Sequence, residues 1–186
     1  MSAAQELKIV FTGPMGAGKT TAISAISDIP PVSTEVENND KQSHAKDSTT
    51  VALDYGQMQL EDGTTVKLYG TPGQQRFAFM WEILCGGAMG IVLLIDGSSE
   101  NALEDFRTYV EAFHRISPDQ PFVIGVGRPA ATESAQYEDF MRVLAVHGVV
   151  APVMAVDVRR REDVLLLIDT LLCILEAQVG SVTDGH

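Results

Sequence analysis

A chain of 186 residues with 45% hydrophobic and only 6% aromatic content carries enough apolar material for a proper core and is about one domain long. Its formal net charge of −12 and pI near 4.6 argue against wrapping nucleic acid, since Arg159-Arg160-Arg161 is the one basic cluster in an acidic sequence. Cys85 and Cys173 each lie among apolar residues without a CxxC partner, so both are expected to be buried free thiols, which sets metal and redox chemistry through them aside.

The first periodic signal is the apolar, β-branched run at residues 7–12, which reads as a buried strand. Gly13-Pro14-Met15-Gly16-Ala17-Gly18-Lys19-Thr20 follows directly and fits G-x-x-x-x-G-K-[ST] at every fixed position. Thr21-Ala22-Ile23-Ser24-Ala25-Ile26 then has the spacing of a helix packed on a sheet. Phosphate groups need converging N–H donors, which a glycine-rich turn and a helix N-terminus supply together. Residues 13 and 15–21 are therefore the expected phosphate cradle. Lys19 is expected to reach the terminal phosphates and the Thr20 hydroxyl to ligate Mg²⁺.

Pro30-Pro31 stops the helix, and residues 33–50, polar and without apolar period, are expected to form a long loop. Residues 50–60 alternate like a strand, Glu61-Asp62-Gly63-Thr64 reads as a hairpin turn, and residues 65–70 resume the extended pattern. The sheet is thus expected to be mixed, with one antiparallel edge. Residues 90–96 read as a central strand, and Leu103, Phe106, Val110 and Phe113 recur at helical spacing up to Ser117-Pro118. A strand at 122–127, a helix around 137–146, a short strand at 152–156 and a closing helix at about 162–176 complete the alternation. The closing helix is expected to bury Leu165, Ile168, Leu172 and Leu175. Such alternation predicts a doubly wound α/β sheet. The polar N-terminus, the tail without a prenylation cysteine and the absence of a spanning apolar run predict a cytoplasmic protein with no direct membrane anchor.

The arrangement resembles the Ras-like small GTPases, a family of P-loop NTPases, across nearly the whole chain. Thr50-Val51-Ala52-Leu53-Asp54-Tyr55 looks like the segment after that family's first switch, which places Thr50, or Thr49 in a competing register, on its Mg²⁺-ligating threonine. Gly70-Thr71-Pro72-Gly73-Gln74-Gln75-Arg76-Phe77 looks like the D-x-x-G-Q motif of the second switch. The resemblance implies that the Gly73 N–H binds the γ-phosphate and that Gln74 orients the attacking water, with Lys19 as the second catalytic group. It further implies a three-layer G domain over 1–186, with a mostly parallel six-stranded sheet and one antiparallel edge strand. Its core would run from about 7 to 178 and its switches over about 33–50 and 70–79. GTP or GDP with Mg²⁺ would be the ligands, and the activity slow GTP hydrolysis.

Two departures stand out. Gly70 replaces the second-switch aspartate, a feature shared with bacterial MglA-type relatives that often pair with Roadblock/LC7-domain regulators, so such a protein is the expected partner. Either Mg²⁺ is then held more weakly, by Thr20 and phosphate oxygens, or another carboxylate substitutes, for which Asp54 on the adjacent strand is the candidate, its other reading being a charge that faces solvent. In place of N-K-x-D the chain reads Gly127-Arg128-Pro129-Ala130, which removes the aspartate that reads guanine. Arg128 remains to stack on a purine, and the backbone around Asp157 and Val158 to contact its edge. Arg76 is expected to pack within the second switch and not to act as a finger. A small-molecule kinase is the competing reading of the phosphate loop, but between Val126 and Met154 only Arg128 and Arg142 are present to form an arginine lid. A degenerate, non-hydrolysing binding module is the third.

Overall fold

The computed structural model describes residues 6–37, 50–129 and 133–183. Seven strands form one sheet in the order β2-β3-β4-β1-β5-β6-β7. They are β1 (Glu6–Thr12), β2 (Val32–Glu37), β3 (Thr50–Gln59), β4 (Thr65–Gly70), β5 (Gly90–Asp96), β6 (Phe122–Gly127) and β7 (Val153–Ala155). The helices are α1 (Lys19–Ile26), α2 (Ala78–Cys85), α3 (Ala102–Ile116), α4 (Glu133–His147) and α5 (Arg161–Thr183), and a 3₁₀ turn at Gln75–Phe77 precedes α2.

From β4 to β7 all pairings are parallel, with β1 between β4 and β5. The β3–β4 hairpin is antiparallel, closed at its turn by Thr64 N–H donating to Asp62 Oδ1 at 2.8 Å. Central strand β5 is apolar from Gly90 to Ile95 because helices cover both its faces. Val92 and Leu94 pack with Ile23 and Ile26 of α1 and with Val164, Leu167 and Leu171 of α5. Ile91, Leu93 and Ile95 pack on the other side with Trp81, Phe106, Phe113 and Phe140 from α2, α3 and α4. The three layers and the mostly parallel sheet are as expected from the sequence.

Several local expectations are corrected. Residues 32–37 are not the start of a loop: they form a seventh strand, β2, that pairs antiparallel with β3 from Val32↔Tyr55 to Glu37↔Thr50. The sequence Val-Ser-Thr-Glu-Val-Glu places a β-branched residue at every second position, a pattern sufficient for an edge strand but lost in a polar stretch after two prolines. The remainder of the stretch expected to form the first switch, residues 38–49 with Thr49 among them, lies outside the described residues. Helix α5 buries Val164, Leu167, Ile168 and Leu171, with Leu165 and Leu172 only partly covered, so its inner face is turned by about one residue from the expected stripe. It also runs on to Thr183, and α4 starts at Glu133, ahead of the expected 137. Cys85 is buried as expected, whereas Cys173 is exposed on the outer side of α5.

Candidate nucleotide site

The C-terminal ends of β1, β4, β5, β6 and β7 point to one edge of the sheet, where open α/β folds place their ligand crevices. The phosphate loop leaves β1 there and enters α1 at Gly18, whose φ of +96° is a left-handed value that side chains resist. A Cβ at Gly18 would also lie 2.8 Å from Val158 Cγ2, so the loop after β7 packs directly on the phosphate loop. Ala17 is buried and its N–H donates to Pro14 O at 3.2 Å, while Gly16, Met15, Thr20 and Thr21 are exposed.

Lys19 is nearly buried, and its ammonium donates to Gly13 O at 2.6 Å and Pro14 O at 2.8 Å. Burial lowers its pKa to about 8, against the smaller opposing pull of the Asp54 carboxylate. Thr20 Oγ1 donates to Asp54 Oδ2 at 2.5 Å. Asp54 is the register partner of Gly70, and a Cβ built at Gly70 would lie 3.0 Å from Asp54 Cβ and 3.2 Å from its Oδ2. The Asp54 carboxylate therefore occupies the space that a side chain at position 70 would enter. A hydroxyl and a carboxylate beside a phosphate cradle are hard oxygen donors of the kind Mg²⁺ takes, and in that respect the residues fit the ion. Among the described residues no group of three or more His, Cys, Asp or Glu gathers at one place.

The loop after β4 comes to the same place. Gly73 backs onto the phosphate loop so closely that a Cβ there would lie 2.5 Å from Met15 N and 3.0 Å from Lys19 Nζ. Thr71 is tied to the end of β1, through its N–H to Phe11 O at 2.9 Å and its hydroxyl to that of Thr12 at 2.9 Å. Gln74, half-buried, heads the 3₁₀ turn and accepts the Phe77 N–H on its carbonyl at 3.0 Å. Arg76 lies over the Phe77 ring at 4.8 Å, packed within this segment as its sequence position suggested. Thr50 opens β3 opposite Glu37.

A crevice of about 810 Å³ runs from the phosphate loop between residues 127–129 and residues 155–159. Arg128 adopts φ +48°, unusual for a residue with a side chain, and is held by Asp96 at 2.7 Å and by Gly16 O at 2.9 Å. It thus fastens the end of β6 to the phosphate loop. On the opposite wall Asp157 grips Arg159 through bonds of 2.8 and 2.6 Å, and that guanidinium holds its carboxyl down at about 2. The Asp157 N–H donates to Asp163 Oδ2 at 2.8 Å and the Arg159 N–H to Asp157 Oδ1 at 3.0 Å. Two of the three amides of this turn are already engaged, so the expected contact to a base edge falls to Val158. Both carboxylates lining the crevice are likewise taken by protein donors. Ala130, the position of the missing aspartate, lies outside the described residues.

Sequence reasoning missed Asp96, Asp163, Trp81 and Tyr109 at this edge. Asp96 carried a signal in being the charged last residue of an apolar strand. The other three stand on helices, with nothing local to distinguish them.

Comparison with known proteins agrees with this picture. An uncharacterized protein, MJ1339, of Methanocaldococcus jannaschii is 32% identical over 100 residues, 54% of this chain and 57% of its own. Ras-related protein Rab-8A of Gallus gallus is 30% identical over 116 residues, 60% of this chain and 50% of its own. GTP-binding protein ypt2 of Schizosaccharomyces pombe is 26% identical over 137 residues, 72% of this chain and 62% of its own. The chain thus spans little more than half the length of such relatives, and these likenesses support a Ras-like P-loop protein. Residues 31–145, from β2 through most of α4, match the family described as conserved hypothetical ATP binding protein, and to that family the chain belongs.

Proposed function

We propose that this chain is a Ras-like nucleotide-dependent switch that binds GTP or GDP with Mg²⁺ and hydrolyses GTP slowly, assisted by a partner protein. The observation that carries the reading is the meeting of two separate segments at one place: the loop with Lys19 and Thr20 after β1, and Gly73 after β4. Segments that touch the same phosphate respond to its loss, which is the basis of an order-based switch.

Thr20 and Asp54, with Thr50 from the start of β3, are the residues that would hold Mg²⁺, which would supply charge neutralisation between the terminal phosphates. Lys19, released from the loop carbonyls, places its ammonium against the transferred phosphoryl oxygens. Gln74 orients the attacking water, and the backbone amides of residues 15–20 and of Gly73 receive the developing negative charge. Arg128 flanks the purine, and the Val158 N–H meets its O6. Because Asp157 and Asp163, the carboxylates of the described crevice lining, are engaged by Arg159 and by the Asp157 N–H, guanine N1–H and N2–H meet no unengaged carboxylate there. Guanine preference is accordingly weak, in keeping with a family whose description names ATP. The partner is a protein that reads both switch segments, and by the MglA-type resemblance a Roadblock/LC7-domain protein is its expected kind. Phe79 and Ile83, exposed on α2 next to the second switch, offer it an apolar foothold.

The test is a competition titration of GTP, GDP, ATP and ADP against wild-type protein and Lys19→Ala. Binding by the wild type with GTP favoured only modestly over ATP, and loss of measurable affinity in the variant, are expected. Equal affinity in both proteins removes the phosphate-loop reading.

A further inference from the structure

Two aromatic donors grip consecutive carbonyls of the second switch. Trp81 of α2 donates its indole N–H to Pro72 O at 3.0 Å, and Tyr109 of α3 donates its hydroxyl to Gly73 O at 3.0 Å. The two rings pack with centroids 4.8 Å apart, and Phe113 stacks behind them at 5.2 Å from Trp81 and 6.2 Å from Tyr109. Trp81 is 2% exposed and Tyr109 1%. Burial, with the Asp105 carboxylate adding to it, pushes the Tyr109 hydroxyl far above its ordinary pKa and keeps it a neutral donor.

The consequence follows from peptide geometry. A trans peptide holds its C=O and N–H on opposite sides of the chain. With Pro72 O turned to Trp81, the Gly73 N–H faces away from that indole, and with Gly73 O turned to Tyr109, the Gln74 N–H faces away from that phenol. Gly73 itself lies against Met15 N and Lys19 Nζ of the phosphate loop. We infer that Trp81 and Tyr109 are positioning residues: by fixing the peptides on both sides of Gly73 they hold its N–H, and the Gln74 N–H after it, away from the aromatic cluster and toward a γ-phosphate, and so set the preference of the site for a nucleoside triphosphate over the diphosphate. The inference rests on the nucleotide-switch reading above. If the aromatic cluster served packing alone, rings would suffice and the two polar atoms would be dispensable.

Tyr109→Phe keeps the ring and removes one donor. Wild type and variant are titrated with GDP and with a slowly hydrolysed GTP analogue, both with Mg²⁺. The expected result is a fall of about five-fold in the variant's triphosphate-to-diphosphate affinity ratio, the size of one neutral hydrogen bond, with GDP affinity within about two-fold of wild type. An unchanged ratio, or equal losses for both nucleotides, overturns the inference. Trp81 is the chain's single tryptophan, so the wild type provides a second reading that needs no folded variant. Its emission should shift on adding the triphosphate analogue and not on adding GDP, and identical spectra overturn the inference. A wild type that binds both nucleotides equally removes the clamp and leaves nucleotide binding standing, whereas a wild type that binds neither removes the switch reading and the clamp with it.

Discussion

Asp54 offers the sharpest test of the site, because its role depends on a carboxylate having moved from one strand to its neighbour. The Thr20 hydroxyl lies 2.5 Å from its Oδ2, and the space above Gly70 is filled by its Cβ and carboxylate. Asp54→Asn keeps the shape and removes the charge. A hydrogen bond to a charged group contributes about 1.5–3 kcal/mol, and loss of a partner that orients a metal's ligands weakens metal affinity by about 10–100-fold. Asp54 is only half-buried, so solvent screening puts the expected loss near the lower end, about ten-fold. The assay is a Mg²⁺ titration of protein loaded with triphosphate analogue, comparing apparent Mg²⁺ affinities. Gly70→Asp alone sets a second carboxylate beside the first. At a separation of about 4 Å and an effective dielectric near 20, their repulsion is about 4 kcal/mol, enough to lower the melting temperature clearly. Combining Gly70→Asp with Asp54→Gly returns one carboxylate to the site from β4 and should recover most of the Mg²⁺ affinity. If Asp54→Asn titrates like wild type, Asp54 is a strand-surface charge and its bond to Thr20 has no bearing on the metal.

Four further outcomes are expected. With a pKa of about 8, Lys19 goes from about nine-tenths to about one-quarter charged between pH 7 and 8.5, so nucleotide affinity should fall about four-fold over that interval; a lysine titrating at its ordinary value would show almost no change. The same depressed pKa means that the unfolded chain binds more protons than the folded one between about pH 8 and 10.5, so this group's burial penalty is present below pH 8 and is relieved as the pH rises through that window. Gln74→Leu should keep nucleotide affinity within a few-fold and slow single-turnover phosphate release at least about ten-fold, measured together with the melting temperature on one preparation; an unaltered rate per folded molecule removes the water-orienting role. Under native conditions a maleimide should label only Cys173, because burial raises the Cys85 thiol to about 11, and rapid labelling of two sites before denaturation would contradict the α2 packing. Phe106→Ala should cost about 3–5 kcal/mol in denaturant unfolding, since the ring is fully buried and stacks on Phe140 at a centroid distance of 4.3 Å; a cost below about 1 kcal/mol would contradict the α3–α4 packing.

The amino-acid sequence by itself determined the phosphate loop, because that motif is local: strand, glycines, lysine and helix start are contiguous, and each is required by the geometry of phosphate binding. It also determined the strands from β3 onward and the helices α3, α4 and α5, since their periodicities are strong and their turns carry Asp-Gly and Ser-Pro signals, but not the short helix α2 between β4 and β5. It pointed to Asp54 only as one of two readings. The register that sets Asp54 against Gly70 belongs to the pairing of β3 with β4, and its bond to Thr20 brings together residues 34 positions apart in the chain. Strand β2 was hidden because an edge strand needs no continuous apolar run and its antiparallel partner β3 follows only after residues 38–49. The tertiary structure alone decided that Arg128 bridges Asp96 and Gly16, that both carboxylates of the crevice are engaged, and that Trp81 and Tyr109 donate to Pro72 O and Gly73 O from two different helices. These contacts join segments far apart in sequence, and no propensity or spacing within one segment encodes which distant donor meets which carbonyl.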